Sequence, residues 1–149
     1  MGGTVNHVDQ VPDIGVRGEQ MRAILTHAMG SPIEICDNRG PSGAGAAPHH
    51  HPWDEIFLVL EGEVDFTIGD TELQRLGPGS VARIPGGAMH SFRNVVDAHY
   101  VSITTQGRAV EMFQALDALG PEASATDFAD TAASYGTVRV WGDHPHAPS

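Results

Sequence analysis

The chain has 149 residues, with 19 acidic side chains against 8 basic ones and a formal net charge of −11. This length is typical of one domain with a core of its own. The excess of acidic side chains argues against binding to nucleic acids or to anionic membranes, because both are themselves negatively charged.

The cysteine content and the hydropathy of the sequence narrow the class of protein further. Cys36 is the one cysteine of the sequence, which excludes an intrachain disulfide and predicts an inert buried thiol. No stretch of 18 apolar residues occurs, and the first ten residues lack the basic and apolar regions of a secretory signal. We therefore expect a soluble, cytoplasmic protein.

The first part of the chain predicts an arm and then short strands. Residues 1–20 are polar and show no period, so we expect an N-terminal arm there. Short apolar stretches predict strands at 22–26 and 32–37, and small residues predict a loop at 38–48. The barrel predicted from the whole pattern covers residues 22–104.

Further strands follow between glycine turns. The apolar run at 56–60 and the alternation at 64–68 flank Gly62 and predict a hairpin. Four more short strands are predicted at 73–76, 81–84, 91–96 and 99–104. Seven or eight strands at this spacing are typical of a barrel or a jelly roll, so the predicted fold class is mainly all-β.

After Gly107 the apolar period changes to that of a helix. A first helix is predicted up to Gly120, where Gly-Pro ends it. A second is predicted from about Thr126 to Tyr135, with Gly136 as a left-handed cap. We therefore expect two short C-terminal helices within residues 108–136, followed by a tail at 137–149.

Four side chains have the types and the spacing of metal ligands. Alternate residues of a strand share a face, so His49 and His51 point one way and His50 points the other. The turn that follows directs Glu55 toward the same point, and a later turn carries His90 back across the barrel. Three imidazoles and one carboxylate suit one divalent transition ion, such as Mn, Fe, Co, Ni, Cu or Zn. Four protein ligands leave coordination places open for a substrate, unlike a closed structural site.

The same residues carry a resemblance to a known family. Residues 43–62 resemble the first cupin motif, G-x5-H-x-H-x3-E-x6-G, and residues 79–94 resemble the second, G-x5-P-x-G-x2-H-x3-N. Both motifs match at every fixed position. The resemblance implies one cupin domain over residues 1–149, with a jelly-roll or double-stranded β-helix barrel that holds the metal on the four residues named above.

The order of segments is also similar to that of the bacterial one-domain cupins called quercetinase-like, in which a single barrel precedes two helices. This resemblance implies a metal-dependent dioxygenase that acts on a phenolic or enolic small molecule. Two alternatives stay open. One is an aromatic polyketide cyclase of antibiotic biosynthesis that uses the metal as a Lewis acid, and the other is a non-catalytic cupin that binds a small molecule.

Glu55 is also the candidate catalytic base, because a carboxylate that leaves a metal can accept a proton. Strand parity counted from the ligands directs apolar side chains into a cavity above the metal. Arg83 could hold an anionic group of the substrate, although a surface position on its strand is the more common interpretation for such an arginine. The candidate substrate-binding residues are Trp53, Phe57, Val59, Phe92 and Arg83.

Three apolar residues of the same strand, Ile56, Leu58 and Leu60, face away from that cavity. A second sheet or another subunit should cover them, and we therefore expect a homodimer. His99 lies in a predicted strand, and its parity leaves open whether it lines the cavity or faces outward.

Overall fold

The computed structural model describes residues 2–139 and shows a mainly β protein. Among these residues there are eleven strands, two α-helices and two short 3-10 helices at Val8–Gln10 and His27–Met29. The strands are β1 (Asp13–Val16), β2 (Glu19–Leu25), β3 (Glu34–Gly40), β4 (Gly45–His50), β5 (Glu55–Glu61), β6 (Val64–Ile68), β7 (Gln74–Leu76), β8 (Val81–Ile84), β9 (His90–Asn94), β10 (Ala98–Thr104) and β11 (Val138–Arg139). The helices are α1 (Ala109–Ala118) and α2 (Ala125–Ser134).

Two antiparallel sheets face each other across one core. The larger sheet has the order β1-β2-β3-β10-β5-β8, and the smaller has the order β11-β4-β9-β6-β7. Phe57 and Tyr100 of the larger sheet form a single buried cluster with Val64 and Phe66 of the smaller one. Each strand supplies alternate residues to this cluster, because successive side chains of a strand point to opposite faces. The predicted all-β jelly roll and its two C-terminal helices are confirmed.

The predicted hairpin around Gly62 is wrong, because the two strands that flank this turn do not pair. β5 pairs with β8 and β10 in the larger sheet, whereas β6 pairs with β7 and β9 in the smaller one. The chain also crosses between the sheets at 85–89, on its way from β8 to β9. An apolar alternation identifies a strand and its buried face, but both sheets bury their inner faces in the same core, so the pattern does not select the partner.

Three predicted boundaries differ from the structure. The arm predicted at 1–20 contains β1, because Ile14 and Val16 alternate against β2. The loop predicted at 38–48 shrinks to 41–44, since the end of β3 continues to pair with β10. Part of the tail forms β11 on the edge of β4, and residues 140–149 lie outside the described residues.

The two helices pack over one end of the barrel and enclose Trp53. Ala109, Met112 and Leu116 of α1 and Ala132 of α2 form a buried cluster with this indole. A capping box at Ser124, whose side chain accepts a hydrogen bond from the third helical residue, sets the start of α2. The C-terminal Gly136 has the predicted left-handed backbone, with φ of 97°. No helix among residues 2–139 is long and apolar enough to cross a lipid bilayer.

Candidate metal centre

Three histidines from two separate segments meet inside the barrel. His49, His51 and His90 each offer a ligand nitrogen, and these atoms lie within 4.8 Å of one another. His49 is opposite His90 in the antiparallel pairing of β4 and β9, and His51 follows the end of β4. The ring centroids of His90 lie 4.1 Å from His49 and 4.7 Å from His51.

The backbone fixes the tautomer of all three rings. The Nδ1 atom of His49 lies 2.8 Å from the carbonyl oxygen of Ala47, that of His51 lies 3.0 Å from Trp53 O, and that of His90 lies 2.9 Å from Ala88 O. A carbonyl oxygen only accepts hydrogen bonds, so each Nδ1 carries the proton. In the neutral ring Nε2 then keeps its lone pair, which is the form that binds a metal.

Burial disfavours the charged form of two of these imidazoles, His49 and His90. It lowers the pKa of His49 to about 4, and the charge of His90 acts in the same direction. Burial also lowers the pKa of His90 below its ordinary value. Neutral rings are ready to bind a cation, because no proton must first be removed from Nε2.

Glu55 lies beside the three histidines but is not one of the mutually close ligand groups. Its Oε2 lies 2.8 Å from Nε2 of His51, yet the carboxylate is not one of the groups that lie mutually within 4.8 Å. Burial opposes ionisation of Glu55, but the hydrogen bond and charge of His51 and the other two imidazoles outweigh it, so the pKa of Glu55 is lowered. The structure thus gathers three of the four predicted ligands and places the fourth against one of them.

The turns of the two segments are tied together by hydrogen bonds. The backbone N–H of Gly87 donates to the carbonyl oxygen of His51 at 2.7 Å, and that of Gly86 donates to the Asp54 carboxylate at 2.8 Å. A side chain at Gly86 would collide with the carbonyl of Pro52, so this close approach requires glycine. These contacts fix His51 relative to the strand that carries His90.

Trp53 packs directly against one of the three histidines. Its indole stacks on the His51 ring with centroids 4.6 Å apart and planes tilted by 10°. The residue is only 1% exposed and packs against α1 and α2. Trp53 therefore connects the two helices with His51, one of the predicted ligands, and it also lines the cavity.

A cavity of about 100 Å³ opens beside the histidines. Of the predicted substrate contacts, Phe57 and Phe92 line it, with ring centroids 5.2 Å apart. Val59 is fully buried in the barrel core and does not reach the cavity.

Arg83 does not reach the cavity either. Its side chain is 65% exposed on the outer face of β8 and pairs with Asp54. Arg83 thus takes the surface position, which is the other interpretation of this residue, because Ile84, its neighbour in the strand, takes the inward position. His99 also lies away from the cavity, where its Nε2 is 2.6 Å from the carboxylate of Asp37.

Six polar residues of the cavity wall are missed by the sequence analysis, namely Arg17, Glu19, Tyr100, Ser102, Thr137 and Arg139. Glu19 is buried and accepts hydrogen bonds from the hydroxyl of Tyr100 at 2.7 Å and from the side-chain amide of Asn94 at 3.1 Å. Burial raises the pKa of Glu19 and, more strongly, that of Tyr100. Arg17 and Arg139 also line the cavity. Arg17 lies in the predicted N-terminal arm, and Arg139 lies in the predicted tail. The alternation of Ile14 and Val16 is the signal that could have revealed a strand in the arm.

The donor set fits a transition-metal ion. Among the described residues, the buried Nε2 atom of His90 has no hydrogen-bond partner, and that of His51 faces the Glu55 carboxylate. A buried polar atom without a partner is costly, and a cation shared by the imidazoles and the carboxylate would remove that cost. Nitrogen and carboxylate donors suit the ions from Mn to Zn.

Comparison with known proteins supports the same fold. Residues 40–104 match the family model of the cupin domain. A stretch of 53 residues is 38% identical to dimethylsulfoniopropionate lyase DddQ of Ruegeria pomeroyi, which covers 36% of this chain and 26% of that protein. This chain therefore spans about a quarter of the length of that curated relative.

Solved structures resemble the whole barrel. KdgF from Halomonas sp. superposes with a TM-score of 0.64 at 21% identity, over 72% of this chain and 99% of that one. The polyketide cyclase RemF from Streptomyces resistomycificus superposes with a TM-score of 0.60 at 22% identity, over 70% and 80% of the two chains. At such identities the likeness establishes the fold.

Acid should destabilise the metal-free protein through His49. Its folded pKa of about 4 lies below the ordinary 6.5, so the unfolded chain binds more protons between these values. The stability contributed by the neutral ring is complete above 6.5 and is lost as the pH falls through 4. We expect urea unfolding at about pH 4.5 to show a loss of about 1–3 kcal/mol relative to pH 7. His49→Asn should reduce this loss, and an equal loss in variant and wild type would contradict the assignment.

Proposed function

We propose that this chain is a cupin enzyme that uses one divalent transition metal to act on a small phenolic or enolic molecule, with dioxygen as the second substrate. The match of residues 40–104 to the cupin-domain model and the cupin folds of similar solved structures support the first part of this proposal. The observation that supports this proposal best is the set of three converging imidazoles beside one largely apolar cavity. A partly enclosed apolar site strengthens charge interactions and limits access of competing water.

We propose that His49, His51, His90 and Glu55 hold the ion, with Glu55 moving the short distance from His51 to complete the set. When bound there, the ion would supply a Lewis acid that lowers the pKa of a phenolic or enolic hydroxyl. The three rings need little rearrangement for this role, because their Nδ1 hydrogen bonds to backbone carbonyls already orient them.

Glu55 is the proposed base. Its lowered pKa keeps it ionised at neutral pH, and its oxygen lies next to the imidazole that faces the cavity. A carboxylate in this position can accept the hydroxyl proton of a substrate as the substrate approaches. Phe57 and Phe92 would lie against the ring of that substrate and exclude water from it.

A second candidate is proton transfer without dioxygen, as in a cyclisation or an elimination. The observation that favours it is the pair Glu19 and Tyr100, which gives the same cavity a second acidic group besides Glu55. RemF is named a polyketide cyclase and DddQ a lyase. The cavity, at about 100 Å³, is small beside the roughly 300–1,000 Å³ of ordinary ligand sites, which favours a small substrate over a long polyketide chain.

Metal content tests the ligand assignment. His51→Ala should lower the bound metal per chain to a small fraction of the wild-type value, because it removes one of three converging imidazoles. His50→Ala is the matched control, since His50 neighbours the group in sequence without belonging to it. Glu55→Gln should keep most of the metal. Elemental analysis of each purified variant measures these contents, and full metal in His51→Ala would reject the site.

Dependence on dioxygen tests the reaction. We expect metal-loaded protein to consume dioxygen with at least one member of a panel of catechols, flavonols and anthrones, as followed with an oxygen electrode. Glu55→Gln should slow this turnover by roughly a hundredfold, because the proton acceptor is lost. Turnover that continues under strict anaerobiosis would instead establish the second candidate. Tight binding of panel members without any conversion would indicate a protein that only binds its ligand.

We also propose that the protein is a homodimer formed through the outer face of the larger sheet. Ile56, Leu58 and Ile103 are adjacent on this face, because Ile103 is opposite Ile56 and Val101 is opposite Leu58. Val81, opposite Leu58 on the next strand, is 59% exposed. A contiguous apolar face of this kind is typical of an interface between subunits.

Disruption of this face should separate the subunits. Leu58→Asp should shift the sedimentation coefficient from that of a dimer to that of a monomer, because the charge would be buried without a partner. Leu73→Asp is the matched control, since Leu73 is exposed in the loop before β7 in the other sheet. Wild-type protein that sediments as a monomer would contradict the proposal.

A further inference from the structure

Arg17 occupies a turn position that arginine rarely takes. Val16 pairs with Glu19, so Arg17 and Gly18 form a two-residue turn between β1 and β2. Both have positive φ, 51° and 79°, as in a type I′ turn. Asn-Gly, Asp-Gly and Gly-Gly are the usual pairs there, and a long side chain in this backbone conformation costs stability. Strain of this kind persists mainly where the side chain has a function.

Arg17 is an exposed residue at the wall of the cavity of the proposed active site. It lines that cavity, and its guanidinium lies 4.0 Å from the ring centroid of Phe128 in α2. Among residues 2–139, no carboxylate lies within ion-pair distance of Arg17. Five other arginines do pair with acids, namely Arg22, Arg39, Arg75, Arg83 and Arg108. In a chain with 19 acidic residues, Arg17 is thus held away from the acids that could neutralise it.

The acids that share the cavity wall have other contacts. Glu19, two residues along the chain, accepts hydrogen bonds from Tyr100 and Asn94. Glu55 lies against His51. Neither carboxyl group forms an ion pair with Arg17, so the guanidinium can meet a ligand.

A second arginine lines the same cavity. Arg139 in β11 is directly opposite His49 in β4, and residues opposite each other in an antiparallel pair share a face of the sheet. Burial and the positive charge of Arg139 together lower the pKa of Arg17 to about 10. Two like charges near each other in a partly enclosed space favour the binding of an anion.

We propose that Arg17 binds a carboxylate of the substrate, so that the substrate is a small aromatic or enolic acid. The planar guanidinium matches a carboxylate through two parallel hydrogen bonds. This inference rests on the proposed function, because it assumes that the same molecule places its hydroxyl at the histidines. It gives the cavity two polar ends, with the apolar wall of Phe57 and Phe92 between them.

Binding of a matched pair of probes tests the proposal without turnover. The probes are 3,4-dihydroxybenzoate and its neutral amide, 3,4-dihydroxybenzamide, titrated calorimetrically into the zinc-loaded full chain. We expect the acid to bind at least about tenfold more tightly than the amide in the wild type. A carboxylate can also bind a metal directly, so the titration is repeated with metal-free protein, where the preference should persist.

Arg17→Asn is the decisive variant, because it creates the Asn-Gly pair that a type I′ turn favours. Its melting temperature should equal or exceed that of the wild type, while the preference for the acid falls to within about twofold. Arg17→Lys keeps the charge and should retain part of the preference. Arg75→Asn is the control of equal charge change, since Arg75 pairs with Asp65 on an exposed strand, and it should keep the full preference.

The proposal is overturned if wild-type protein binds the acid no more tightly than the amide, or if Arg17→Asn leaves the preference unchanged. Failure of the proposed reaction gives a different result. A protein that converts no panel member, yet loses its preference for the acid in Arg17→Asn, retains the anion site and lacks the reaction. A protein that consumes dioxygen with neutral phenols and binds both probes alike has the reaction without the anion site.

Discussion

The candidate site depends on three hydrogen bonds from imidazole Nδ1 atoms to backbone carbonyl oxygens. Each bond joins a histidine to a residue two positions away, so the strand ends that carry His49, His51 and His90 also determine how their rings are turned. A carbonyl cannot donate, and this fixes the proton on Nδ1 and the lone pair on Nε2. The rings are therefore oriented before any cation arrives, and the cost of orienting them is met by folding rather than by binding.

The chain crosses between the two sheets, and these crossings bring the oriented side chains together at one site. β4 and β9 pair within the smaller sheet, which places His49 opposite His90. β5 belongs to the larger sheet, so Glu55 approaches from the other wall of the barrel. The hydrogen bonds from Gly86 and Gly87 to the segment around His51 hold the two walls in register. A pair of strands within one flat sheet would not surround a point in this way, whereas two facing sheets do.

The sequence predicts the site better than it predicts the strand pairing. Ligand spacing and turn residues are local, so the convergence of the three histidines follows from strand parity and from the turn before His90. Pairing is not local: the pattern around Gly62 predicts a strand on each side of the turn, but nothing within it distinguishes a hairpin from a crossing between sheets. Arg83 illustrates the same limit. Its charge indicates an anion site, but its side of the strand depends on which neighbour the core selects, and the core selects Ile84.

The positions of the charged residues make the two ends of the cavity different. The protein carries a net charge of −11, yet two of its eight basic residues line this one cavity, while burial lowers the pKa of His49 at the other polar contact. An ion at the histidines would add positive charge there, so a ligand must bring negative charge or become negative on binding. A neutral phenol meets that condition only at the metal, whereas a phenolic acid meets it at both ends. In the proposed site, the apolar wall between the two ends would set the distance between the two groups of a bound acid, so that the length of the molecule would matter as well as its charge.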